Sequence, residues 1–165
     1  MELIHSIEKT LAEWFKGLPH LPKNISKWLA DNAWWLTLAG LIVSGLLILS
    51  LLSFVMSINA ATSGLMAYAY AYSGVSAASV WASFWVSVAF FAVIATVEAM
   101  AIKPLKAKQS KGWELLFLAM LLSATSGVVG AIVSYNIGSI LGSLIGLAIG
   151  LYILFEVREY FATKA

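Results

Sequence analysis

No cysteine occurs anywhere in this chain. Disulfides, thiolate nucleophiles and cysteine-ligated metal sites are therefore excluded together, and the redox compartment is left open. Charge is nearly as scarce. Only 11% of the residues are charged, whereas a soluble globular domain carries about a quarter. The formal net charge of +2 is too small to favour nucleic acid, and none is expected as a partner. Absent too are a P-loop, a GxGxxG following a strand and an HExxH, so three common routes to phosphate, dinucleotide and zinc chemistry have no motif. His5 and His20 lack metal-ligand spacing to each other or to carboxylates. Most serines fall on helix faces, where a hydroxyl bonds its own backbone. No catalytic residue, cofactor or metal site is expected, and the chain reads as non-enzymatic.

What is present is apolar surface. Hydrophobic residues make up 61% of the chain and mean hydropathy is +0.91, the composition of a membrane protein. A length of 165 residues holds one domain of a few spans and leaves no room for a separate soluble catalytic module. Between Asn32 and Ile102 the only charged side chain is Glu98, and a stretch so clean and so long must cross the bilayer more than once. The expected fold is all-α: an integral membrane four-helix bundle over residues 32–165, preceded by an amphipathic segment and connector over residues 1–31. Spans are expected near residues 34–56, 80–102, 113–134 and 139–155, the last continuing as helix to about residue 162. The 57–79 segment, softened by Asn59, two glycines and scattered hydroxyls, reads as a connection whose form (loop, interfacial or re-entrant helix) is open.

The basic residues fall in three groups. Lys9, Lys16, Lys23 and Lys27 precede the first span, Lys103, Lys106, Lys108 and Lys111 follow the second, and Arg158 and Lys164 follow the fourth. Four crossings put all three groups on one side and leave the other two loops without Lys or Arg. The positive-inside rule then places both termini in the cytoplasm, with the chain in the cell membrane. A five-span alternative would put one basic group outside. The stretch "MELIHSIEKTLAEWFKGL" lacks the positive n-region and unbroken apolar core of a cleavable signal and should stay in the mature chain. Its Leu3, Ile4, Ile7, Leu11, Trp14, Phe15 and Leu18 recur at spacings of three and four, the pattern of an interfacial helix. Trp28, Trp34, Trp35 and Trp113, with Tyr152, Phe155 and Tyr160, read as markers of the cytoplasmic boundary.

In "GSILGSLIGLAIG", Gly138, Gly142, Gly146 and Gly150 stand four positions apart. Folding the third and fourth spans about "YNIG" sets Ser134 against Ser139, Gly130 against Gly142, Gly127 against Gly146 and Ser123 against Gly150. Small residues at matching depth predict a glycine-zipper seam within the chain, because backbones that approach closely gain dispersion contacts. A seam between chains, in a homo-oligomer, is the alternative. Glu98 lies five residues before Lys103, which predicts a carboxylate at the headgroups or paired with a lysine. Its alternative role is coupling in a small oligomeric channel or transporter.

"LPHLPKNISKWL", "KPLKAKQSKGWELLF", a glycine-interrupted apolar helix and "GLYILFEVREYF" together resemble small four-span hypothetical membrane proteins of bacteria with reduced genomes. The resemblance implies a similar helical architecture and carries no assigned activity. The expected role is scaffolding or interaction, with the lipid bilayer as the first partner.

Overall fold

The computed structural model describes the backbone of residues 2–73, 77–134 and 137–161. Among the described residues there are five α-helices and no strand: α1 (Glu2–Phe15), α2 (Lys23–Ser73), α3 (Ala77–Lys106), α4 (Ser110–Ser134) and α5 (Ile137–Glu156), closed by a 3₁₀ turn (Arg158–Tyr160). Among the described residues, three stretches are long and apolar enough to cross a membrane: Lys23–Ser57, Phe84–Lys106 and Ser110–Gly130. The long helices pack in chain order, α2 on α3, α3 on α4 and α4 on α5.

The first stretch long and apolar enough to cross a membrane runs Lys23–Ser57, and α2 continues beyond it: its 51 residues extend unbroken for about 76 Å. Pro22 immediately precedes this helix and no proline interrupts it. Two hydroxyls near the middle of the helix bond inside it: Ser53 donates to the Leu49 carbonyl at 2.9 Å and Ser57 to the Ser53 carbonyl at 2.7 Å. Such back-bonding removes any need for the chain to leave the helix. The segment after residue 57 is thus helical through Ser73, and Tyr72 at its end is 94% exposed. The turn expected at Asn136 lies outside the described residues.

α5 ends at Glu156, and after Val157 the chain goes on as the 3₁₀ turn Arg158–Tyr160; the expected end near residue 162 lies outside the described residues. This segment places Phe161, 1% exposed, in the core and brings Arg158 to α1.

That core occupies one end of the molecule. Ala30 from α2, Ala101 and Leu105 from α3, Trp113 and Phe117 from α4, and Leu151, Leu154, Val157 and Phe161 at the chain's end form a single buried cluster. α1 adds Ile7, Leu11 and Phe15 to its side, while Trp14 is 74% exposed. Away from this cluster, α2 exposes Ile42, Val43, Leu46 and Leu47, and α5 exposes Leu144, Ile145 and Ile149. In a protein that spans lipid, such faces meet acyl chains or other helices, not water.

Candidate functional site at the lysine-bearing end

The three basic segments of the sequence meet at the end that holds the core. Lys108 reaches the Asp31 carboxylate at 2.9 Å, and its ammonium also lies 5.1 Å from the centroid of the Phe161 ring. Lys106 stands 5.0 Å over Trp34, within cation–π range. Arg158 pairs with Glu8, an acid left only 8% exposed by α1, and stacks its guanidinium 5.2 Å over Trp113.

Lys108 owes its place to the way α3 ends. Its amide donates to the Leu105 carbonyl at 3.0 Å and the Gln109 amide to the Pro104 carbonyl at 2.9 Å. This is the crossed pair of a Schellman motif, which needs a left-handed residue in the middle. Glycine is usual there, but Lys108 takes φ 55°. The lysine is tolerated because its side chain ties this turn to α2 and to the chain's end.

α1 and its connector are strapped across the same end. Phe15 stacks on Phe155 at 5.3 Å between ring centroids and tilts against Tyr152 at 6.3 Å. The Tyr152 hydroxyl donates to the Pro19 carbonyl at 2.5 Å. Glu156 holds the connector with both oxygens, one 2.7 Å from His20 Nδ1 and the other accepting the Leu21 amide at 3.0 Å. Glu156→Ala should therefore free the connector, costing about 1–3 kcal/mol for the unsatisfied groups. The check is limited trypsinolysis in detergent, where cleavage after Lys16 and Lys23 should speed up several-fold; an unchanged rate would show that the strap is held by its aromatic contacts alone.

Two cavities lie under the strap. The larger, about 660 Å³, is bounded by Phe15, Lys16, Leu21, Lys23, Phe155 and Glu156 among others. The smaller, about 340 Å³, lies along α1 between Glu8, Lys9, Glu13 and Arg158.

The remaining predicted positions are distributed elsewhere. Glu98 is half-buried on α3, makes no ion pair among the described residues and lines neither of these cavities. A Cβ built on Gly130, Gly142 or Gly146 meets nothing within 4 Å, and Gly142 and Gly146 are exposed. Of the four seam glycines whose surroundings are described, Gly150 shows a close approach, and its neighbour is the Met120 methyl at 3.1 Å; the expected partner, Ser123, is exposed. Gly127 is half-buried. The side chain of Ser134 and the surroundings of Gly138 lie outside the described residues.

Two residues that matter most at this end were not legible as such. Trp113, expected at the membrane boundary, is 4% exposed and donates its indole N–H to the Leu154 carbonyl at 2.7 Å. It is a core residue, held beneath Arg158. Gly112 carried no signal beyond its place beside the lysine cluster, yet a Cβ there would stand 2.6 Å from the Leu105 nitrogen. Comparison with protein-family models, curated proteins and solved structures found no match to this chain.

Proposed function

We propose that this chain is a non-enzymatic, four-span protein of the cytoplasmic membrane, both termini cytoplasmic, that acts by scaffolding or interaction through helix faces left open in the bilayer. One observation carries the reading: three ion pairs at the lysine-bearing end (His20–Glu156, Lys108–Asp31 and Arg158–Glu8) fasten its segments together, while α5 leaves Gly142 and Gly146 exposed with open space around them. The 20 residues of α5 extend about 30 Å, enough for a fourth crossing beside the three longer stretches. With that crossing, the lysine groups of α1, the α3–α4 turn and the chain's end share the cytoplasmic face. α1 then lies at the interface as an amphipathic cap, its Ile7, Leu11 and Phe15 turned to the core. The open glycine face favours a seam between chains over the seam within one, and so a homo-oligomer. The likeness to small four-span bacterial membrane proteins belongs to this same proposal.

Gly146→Leu is the decisive variant. Its side chain enters open space in one chain, so the thermal midpoint should stay within a few degrees of the parent while the detergent-solubilised mass falls to that of a monomer. A variant that melts early as a monomer would return the seam to α4 and α5. Orientation is checked separately: reporters beside Tyr70 and Lys108 should label from opposite aqueous phases, and labelling from one phase would refute four spans.

A further inference from the structure

The larger cavity under the strap is built to receive an anion that carries an apolar tail. We propose that it binds the phosphodiester headgroup of a membrane phospholipid. Its charged walls are unequal. Of the acids facing it, Glu156 is held by His20 and the Leu21 amide, and Glu159 is hydrogen-bonded to Tyr160. Arg158, on the same wall, is committed to Glu8. Lys16 and Lys23 also line the cavity and make no ion pair among the described residues, so they are the charges left to meet an incoming anion.

A buried polar group points the same way. Ser26 lines the cavity, is 4% exposed, and its hydroxyl has no hydrogen-bond partner among the described residues. Its oxygen stays accessible from the cavity, where the hydroxyl can donate to a phosphate oxygen. Lys23 and Ser26 both belong to the first turn of α2, where the Ile25 and Ser26 amides are taken by the Pro22 carbonyl but the positive end of the helix dipole still favours a phosphate.

The source of that phosphate follows from the other walls. Phe15, Leu21 and Phe155 give the cavity an apolar side that free phosphate would leave unused. On the same elements Trp14 (74%), Leu18 (45%) and Trp28 (57%) are exposed. They form the kind of aromatic and aliphatic edge that sits in the headgroup layer. A lipid whose phosphate enters between Lys16 and Lys23 leaves its glycerol against the aromatic wall and its acyl chains in the bilayer. This rests on the membrane placement proposed above, but binding in micelles depends neither on orientation nor on the glycine face, so its failure would leave that reading standing.

The test is native mass spectrometry of the full chain in neutral detergent with added phosphatidylglycerol, diacylglycerol of the same chains, or inorganic phosphate. One retained phosphatidylglycerol and no diacylglycerol are expected. The double variant Lys16→Gln/Lys23→Gln should weaken binding about 30-fold, from roughly fivefold per lysine, and Ser26→Ala should weaken it further in the same direction. Lys103→Gln/Lys111→Gln, which removes the same charge away from the cavity, should bind as the parent does. Because Lys16 and Lys23 are exposed, their loss should leave the melting temperature unchanged. Equal weakening in both double variants would reduce the effect to bulk charge and overturn the site. Saturation by inorganic phosphate alone, in competition with the lipid, would overturn the lipid assignment.

Discussion

Gly112→Ala should lower the melting temperature of the detergent-solubilised protein by on the order of 10 °C, the equivalent of about 3 kcal/mol in a chain of this size. Alanine is ordinarily worth up to about 1 kcal/mol over glycine inside a helix, so the expected sign is the reverse of what propensity gives. The reason is where the added methyl would go. It would stand 2.6 Å from the Leu105 nitrogen, 2.9 Å from the Pro104 carbonyl carbon and 3.0 Å from the Leu105 Cα. All three are backbone atoms, which have no rotamer by which to withdraw. They also belong to the turn whose Pro104 and Leu105 carbonyls close α3, so any retreat breaks the motif that presents Lys108 to Asp31. Gly142→Ala and Gly146→Ala are the matched controls. Their methyls enter open space, and their midpoints should hold or rise slightly. If all three variants melt together, the close approach of α3 and α4 at Gly112 is not present in solution.

Apolar content and charge scarcity made the helices legible, because a backbone in lipid must satisfy its own hydrogen bonds. Which apolar residues face protein was not legible. In a soluble helix the polar face marks the outside, but here exposed Leu46 and Leu47 of α2 and buried Leu105 of α3 are the same residue type. The pairing of α4 with α5 shows the consequence. Small residues can be aligned across a turn in several registers, and the structure sets Gly150 against Met120, three residues from Ser123. The extent of α2 was hidden because Asn59, two glycines and scattered hydroxyls soften residues 57–79, although the Ser57 hydroxyl bonds one turn back inside the helix. The candidate site was half legible. Charge grouping put Lys23, Lys108 and Arg158 on one side, and Asp31, Glu8 and the strap bring their segments to one end. The unpaired state of Lys16 and Lys23 and the burial of Ser26 depend on contacts between residues more than a hundred positions apart, such as His20 with Glu156.

The second large effect is expected at Trp113. Trp113→Ala should cost about 3–5 kcal/mol, the range for emptying a buried aromatic site, and should loosen α1, whose Glu8 pairs with the arginine over the ring. The indole lies parallel to Phe117, 5.4 Å away with 9° between planes, and edge-on to Phe155 at 5.5 Å. Its N–H meets the Leu154 carbonyl, one of the last four in α5, which have no amide of their own helix ahead of them. Above the ring sits Arg158, and Arg158 holds Glu8. Removing the indole therefore leaves a carbonyl unpaired, a cavity between Phe117 and Phe155, and an arginine without the surface that orients it toward α1. Trp113→Phe separates these losses, since it keeps the stacking and forfeits the hydrogen bond for about 1 kcal/mol, up to 3 if the carbonyl stays dry. The coupling to α1 is read from a double-mutant cycle of Trp113→Phe with Arg158→Ala: residues in contact deviate from additivity by about 0.5–3 kcal/mol. Strict additivity, with trypsin cleavage after Lys16 unchanged in Trp113→Ala, would mean that α1 is fastened by Phe15, Tyr152 and Glu156 without help from the ring beneath Arg158.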